Sequence, residues 1–270
     1  MKKAAHNTNK SLKTLYLYAI IVLLLILVSL VVKVFYIVQQ NKFDSTHHFT
    51  LAIIEHNNVK EILSFQPQTP AVSELIIQNN NIPYGLLAKN YGIETDGYIQ
   101  TGDNLLPGSD MSNLLWSSII HTASWQCNVT IFDKVRLLLL VRSITSNNKI
   151  IKNISLTTQN FDVNATIMTA LTDQDVATEN TSIQIINATN VSGLGQRLAR
   201  VLTNLGANVI DIATAQKTQE KSSIAYYENE SYTLNRVQRI LDIPVRKLTK
   251  RPIAAIVITI GKDKVNTSEF

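Results

Sequence analysis

The stretch IQIINATNVSGLGQRLARVLTNLGANVIDIATA, residues 183–215, reads as strand, turn, helix, stop and strand. Ile183 to Ile186 is a short β-branched run, and Asn187 to Ser192 supplies turn-forming residues. From about Gly193 to Leu205, the residues Leu194, Leu198, Val201, Leu202 and Leu205 fall on one face of a helix. Gly206 is placed to stop it, because only glycine enters the left-handed region without steric cost. A second strand is expected over Val209–Ala213. Downstream, Ser223–Tyr227 predicts a third strand and Tyr232–Leu241 a second helix with Leu234, Val237, Ile240 and Leu241 inward. Val245–Leu248 and Ala254–Ile260 complete the set. Short strands alternating with helices give a small strand-helix sandwich over residues 183–264, with 265–270 as a tail.

Working upstream, Asp173, Asp175 and Glu179 lie among Thr, Ala and Asn without marked periodicity. Residues 166–182 therefore read as an acidic linker. Residues 49–165 predict a middle α/β domain. Phe49–Ile54 and Val59–Phe65 flank His56-Asn57-Asn58 as a hairpin, and Val72–Ile77 is a further strand. Ser109-Asp110 is placed to cap a helix running to about Thr122. Thr130–Ile144 fits helix or buried strand, with length favouring helix. Residues 39–48, with Ser45-Thr46-His47-His48, read as a polar stalk.

At the amino-terminal end, Leu15 to Val32 contains no charge, and apolar residues resume after Lys33. About 20 helical residues cross a 30 Å hydrocarbon core. Residues 14–38 are therefore expected to be a transmembrane signal anchor. A cleaved signal peptide would need a shorter apolar run and a small-residue cleavage site. Lys2, Lys3, Lys10 and Lys13 mark residues 1–13 as a cytoplasmic tail. The expected location is the plasma membrane, single-pass, with both outer domains extracytoplasmic. The fold class is α/β: one transmembrane helix, then two extracytoplasmic α/β domains.

The charge distribution follows this division. The net charge of +5 is a sum of unlike parts. Residues 1–40 carry five lysines and no acid, residues 41–182 hold 8 basic and 13 acidic groups, and residues 183–264 hold 12 basic and 6 acidic. Arg197, Arg200, Arg236, Arg239, Arg246, Lys247, Lys250 and Arg251 are the candidate binding residues, a basic surface able to attract an anionic polymer or lipid headgroups. Nucleic acid is not an expected partner of a domain outside the membrane.

Catalytic chemistry finds little support. Cys127 stands alone and reads as a small buried hydrophobe. None of His6, His47, His48, His56 and His121 has metal-ligand spacing, and the stalk pair His47-His48 reads as solvated. Asp96, Asp103 and Asp110 do not fit an EF-hand loop. Val191-Ser-Gly-Leu-Gly195 lacks the third glycine of a dinucleotide motif and a Walker lysine, so it reads as a tight turn. No catalytic residue, metal site or cofactor is expected.

Together with SSIAYYENESYTLNRVQRILDIPVRKL (222–248) and AAIVITIGKD (254–263), the opening stretch resembles the LytR C-terminal domain family. Asn187, Gly193, Leu194, Leu198, Leu205, Gly206, Val209, Tyr226, Tyr227, Gly261 and Asp263 carry the resemblance over 183–263. It implies a bacterial cell-envelope protein and brings no catalytic residues with it. FTLAIIEHNNVKEILSFQPQTPAVSELIIQNN (49–80) and GIETDGYIQ (92–100) resemble strands of a LytR-CpsA-Psr domain, whose active members transfer glycopolymers from a polyprenyl-pyrophosphate carrier. Those members place Ile-Pro-Arg-Asp where this chain has Gln78-Asn79-Asn80-Asn81. Asparagine offers neither a bidentate guanidinium nor a metal-binding carboxylate, so this resemblance implies a degenerate domain. The expected function is non-enzymatic binding of peptidoglycan, an anionic wall polymer or an envelope protein. The alternative is a transferase attaching glycopolymers to the wall.

Overall fold

The computed structural model describes residues 4–78, 81–102, 110–122, 124–156, 161–227 and 229–265. Helix α1 runs from Ala4 to Gln39. Its segment Leu15–Gln39, 25 residues, is long and apolar enough to cross a bilayer, and the apolar side chains along it are exposed.

Lys42–Phe270 is a second unit holding two sheets. The first has the order β5-β4-β1-β2-β3-β6: Gln126–Cys127, Gly97–Thr101, Phe49–Glu55, Asn58–Gln66, Ala71–Ile77 and Lys149–Ile154. The expected hairpin is β1/β2, antiparallel, with β3 antiparallel to β2, while β4 and β6 add in parallel. All seven residues of β1 are buried, as befits a strand covered on both faces. One face carries Leu51, Ile53, Leu63 and Phe65 against α2 (Met111–Ile120) and α3 (Ile131–Ser143). The other carries Ala52, Ile54, Ile62 and Leu75 against Leu87, Ile93 and helix α4 (Phe161–Leu171). Residues 130–144 thus resolve as helix, and Asp110 caps α2 through the backbone amide of Ser112. Ser109 lies outside the described residues. Cys127 is half-buried on the short edge strand β5.

The second sheet has the order β10-β9-β11-β7-β8: Val245–Lys247, Ser223–Tyr226, Ile256–Ile260, Ser182–Asn187 and Asn208–Thr214. Helices α6 (Leu194–Asn204) and α7 (Tyr232–Leu241) bury Leu194, Leu198, Leu202, Leu234, Val237 and Leu241 in one core with Ile183, Ile185, Ile224 and Ile258. The α/β sandwich expected from the spacing is present.

Two expected boundaries do not hold. Residues 166–182 are not a linker: they include the end of α4 and helix α5 (Gln174–Glu179), with Ile167, Ala170, Leu171 and Val176 buried. The acids there cap helices and meet buried partners, so the composition that suggested solvation reflects hydrogen bonding instead. Nor are residues 39–48 a free stalk. Phe43 is 1% exposed beside Phe49, and His48 is 3% exposed. The two sheet-containing domains are consequently parts of one unit from Lys42 onward.

Candidate functional site

Of the eight basic candidates, Arg236 departs furthest from the expected solvated surface. It lies on the inward arc of α7 next to Val237 and is 2% exposed. Its guanidinium makes a two-pronged contact with Asp96 at the entrance to β4, with Nη2 donating to Oδ2 at 2.9 Å. Asp96 Oδ2 also accepts from the backbone and hydroxyl of Thr50 on β1, at 2.8 and 3.0 Å. Arg236 Nε lies 3.5 Å from Asp173, itself 0% exposed. Asp173 caps α5 through the amides of Asp175 and Val176 and accepts from the Tyr232 hydroxyl at 2.8 Å. One arginine therefore joins α7 of the second sheet both to the entrance of β4 in the first sheet and to the cap of α5.

The electrostatics follow from burial and this pairing. Burial alone would raise the Asp96 carboxyl, but Arg236 outweighs it and holds the group down at about 2. Burial opposes the charge on Arg236, yet Asp96 and Asp173 push its pKa above the ordinary value. His48, burying its ring beside this cluster, is lowered to about 3, first by burial and then by Arg236. It stays neutral, with Nε2 paired to the Ser64 hydroxyl at 2.8 Å and Nδ1 3.8 Å from Asp173. Burial and Asp173 raise the Tyr232 phenol far above its usual range. This is a structural lock, with one buried guanidinium set between two carboxylates and its histidine kept uncharged.

Arg200 is also removed from the free surface. It donates to the carbonyl of Lys89 at 2.9 Å and covers Gly92, where a Cβ would lie 2.7 Å from Arg200 Cγ. Arg197, beside it on α6, is half-buried. The remaining five, Arg239, Arg246, Lys247, Lys250 and Arg251, are exposed. Arg246 and Lys247 sit on β10, the edge strand of the second sheet, and Lys250 and Arg251 follow it directly. Lys247 Nζ lies over the Tyr226 ring, 5.8 Å from its centroid. The structure thus gathers four cations along one open sheet edge and separates them from the helix arginines.

Beside the lock is an open cleft of about 850 Å³, lined by Gln66, Gln68, Thr69, Asp175, Glu179 and Tyr232 among others. Tyr232 stacks on His47, 4.7 Å between centroids. Among the described residues, no group of three His, Cys, Asp or Glu could hold a metal. Asp110 is used as a helix cap, and Asp103 lies outside the described residues. So do Asn79 and Asn80 of the Gln78–Asn81 segment.

A further buried charge sits in the first sheet. Glu74 on β3 is 2% exposed and lies diagonally across from Glu61 on β2. Burial, and then Glu61, raise its carboxyl to about 7. A carboxyl raised in the fold is protonated there while the unfolded chain is already ionised. Its contribution to stability is therefore full below about 4.5 and is lost as pH rises toward 7. Glu74→Gln should flatten this decline. The difference between variant and native urea midpoints, followed from pH 4 to 8, isolates Glu74 from the opposite slope contributed by His48.

The second sheet's turn chemistry completes the site. Asn187 accepts from the amide and hydroxyl of Thr189 and donates to the carbonyl of Val191 at 2.8 Å, closing the strand-to-helix turn. Gly193 (φ +78°) starts α6, and Gly206 (φ +95°) follows it. A Cβ on Gly261 would lie 2.5 Å from the Lys221 carbonyl carbon, and Asp263 accepts from the amide and hydroxyl of Ser222. Residues 180–263 match the family described as LytR cell envelope-related transcriptional attenuator.

The second sheet and its helices are a LytR C-terminal domain. In this LytR C-terminal domain the resemblance-bearing residues Asn187, Gly193, Gly206, Gly261 and Asp263 build turns and close contacts. The match supports a cell-envelope-associated protein. No curated protein matches the chain. Among solved structures, the transcriptional regulator yvhJ from Bacillus subtilis is similar over 40% of this chain and 83% of its own. The identity is 9% and the TM-score 0.29.

Proposed function

We propose that the chain is a plasma-membrane-anchored, single-pass envelope protein, amino terminus cytoplasmic, that binds anionic wall polymer without catalysing its transfer. The observation carrying this reading is the open edge of the LytR C-terminal domain. Arg246, Lys247, Lys250 and Arg251 line it, while Arg236, buried in the interior, is ion-paired with Asp96 and Asp173. An edge strand offers unpaired backbone groups as well as side chains, so an extended polyanion finds both charge and hydrogen bonds there. Exposed cations each contribute modestly and are screened by salt, which suits reversible binding to a dense polymer matrix.

The test is sedimentation of the detergent-solubilised full chain with purified cell walls. Changing all four cations to glutamate should weaken retention by roughly tenfold or more at low salt, given several tenths of a kcal/mol per exposed contact. Retention of the native chain should fall with added salt. Equal retention of the variant would overturn the assignment to this edge. Magnesium-dependent glycopolymer transfer by the native chain would overturn the non-enzymatic reading in favour of a transferase.

A further inference from the structure

Helix α4 covers only part of the first sheet's face opposite α2 and α3. Ile167, Ala170 and Leu171 pack with Ile62, Leu75, Ile77 and Ile154. The alternation of the same strands carries that face on to Gln66, Ala71, Ser73 and Ile150. Gln66 pairs with Ala71 across β2/β3 and Ser73 with Ile150 across β3/β6, so these four form one floor. The cleft of about 850 Å³ lies over it, and Ile150 is 48% exposed. The walls are tied in place. Gln66 Nε2 donates to the carbonyl of Thr172 at 2.7 Å, and Gln68 Nε2 to Asp175 Oδ2 at 3.0 Å. Glu179 holds the start of α7 through the amides of Tyr232 and Thr233. The Tyr232 ring covers one face of His47, whose side chain is 38% exposed and is held by Asp44. The cleft is therefore preformed between the two sheet-containing domains, at a size typical of small-molecule sites.

The lining chemistry selects the ligand. Apart from His47, the ionisable side chains among the described lining residues are Asp175, Glu179 and Tyr232, with no lysine or arginine, so a polyanion is disfavoured. Glutamine, threonine and serine dominate the lining, and an apolar ligand would leave them without partners. An extended peptide is captured through free strand-edge backbone, but the floor is a sheet face in which β2 and β3 are paired on both sides. A ligand rich in hydroxyl groups fits what remains. Carboxylate and amide oxygens accept from hydroxyls, and the glutamine amides donate to them. The open face of the His47 ring offers a π surface to the C–H face of a sugar ring. We propose that this cleft binds an uncharged saccharide, with hydroxyls bonded to Gln68, Gln174, Asp175 and Thr178 and a ring face on His47. The site goes beyond the sheet-edge reading and does not depend on it. On a wall polymer the edge cations would take anionic groups, and the cleft an uncharged sugar unit.

The experiment titrates the full chain, in a detergent without a sugar headgroup, with cellotriose and with triacetylchitotriose. Binding is read by saturation-transfer NMR and calorimetry. At least one of the two should bind, approaching saturation by about 10 mM. Thr178→Trp, which fills the cleft from an exposed position on α5, should weaken that binding by about tenfold or more. Gln68→Ala, also at an exposed position, should weaken it roughly threefold through a lost hydrogen bond. Changing Arg246, Lys247, Lys250 and Arg251 to glutamate should leave sugar binding intact while wall retention falls, which separates this site from the sheet edge. If neither sugar binds at about 10 mM, the proposal is overturned. Binding that survives Thr178→Trp, or that is lost with the edge cations, overturns it by placing the sugar elsewhere. Tetraglycine binding that Thr178→Trp abolishes, with neither sugar bound, overturns it in favour of a peptide ligand.

Discussion

Arg236→Met is expected to destabilise the outer unit by about 3–5 kcal/mol, the cost of removing one partner from a buried ion pair. The magnitude comes from what remains. Asp96 and Asp173 are 8% and 0% exposed at their side chains, and both lose the cation that compensates their burial. Asp96 keeps Thr50, and Asp173 keeps Tyr232 and the α5 amides, but hydrogen bonds alone do not offset two carboxylates in a dry joint. Three signatures separate this from a simple packing loss. The variant should regain stability as pH falls, because Asp96 no longer has the cation that held its carboxyl at about 2 and protonation relieves the charge. Arg236→Lys should fail nearly as badly, since an ammonium cannot serve Asp96 with two nitrogens while reaching Asp173 with a third. Arg236→Met combined with Asp96→Asn should cost less than the two single changes added together. Urea unfolding of the full chain in detergent, followed by tryptophan emission and far-ultraviolet dichroism, provides the measurement. Both tryptophans lie in the middle domain, so in the variant the two signals should stop coinciding as the LytR C-terminal domain comes away first.

This joint also marks where sequence reading stops. The core of the LytR C-terminal domain was legible because its helices are strongly amphipathic: Leu194, Leu198, Leu202, Leu234, Val237 and Leu241 are all buried as their spacing requires. The β1/β2 hairpin and β3 were legible for the same reason at a period of two. By contrast β6, Lys-Ile-Ile-Lys-Asn-Ile, is an exposed edge strand whose parallel partner β3 lies more than seventy residues earlier, and no local pattern marks it. The acids of 166–182 looked solvated because nothing near them in sequence is basic. Asp173 instead meets Arg236, and Glu179 accepts from the amides of Tyr232 and Thr233 to cap α7. Arg236 did leave a trace: it lies one turn before Ile240 and beside Val237, inside the apolar arc of its own helix. A charge in that position signals a buried partner more than a surface. Of the proposed binding set, the edge cations Arg246, Lys247, Lys250 and Arg251 remain available, whereas Arg200 and Arg236 are consumed by domain packing.

The same distance blindness hid Asp133, whose replacement by alanine should cost about 3 kcal/mol or more. Its carboxylate, 0% exposed, accepts from Thr130 N at 2.8 Å and the Thr130 hydroxyl at 2.9 Å, while Thr130 caps α3 in return. It also accepts from the amides of Lys42 and Phe43, ninety residues away, at 3.2 and 3.0 Å. Loss of a reciprocal cap alone costs about 1 kcal/mol. Amides bonded to a charged acceptor contribute about 1.5–3 kcal/mol each, and those left buried without a partner keep their desolvation cost. Thr130→Ala should therefore lose only the smaller part, so that the gap between the two variants measures the joint at residues 42–43. A second consequence is mechanical. Without Asp133, Arg136, the bond from Lys42 Nζ to the Asp96 carbonyl and the burial of Phe43 still hold the segment at residues 42–43, but the amides of Lys42 and Phe43 lose their acceptor, and their exchange should rise well above that of β1. Thr130→Ala should leave that exchange unchanged. If Asp133→Ala proved no worse than Thr130→Ala in both stability and exchange, the carboxylate would be a helix cap alone, and α3 would not be pinned to residues 42 and 43.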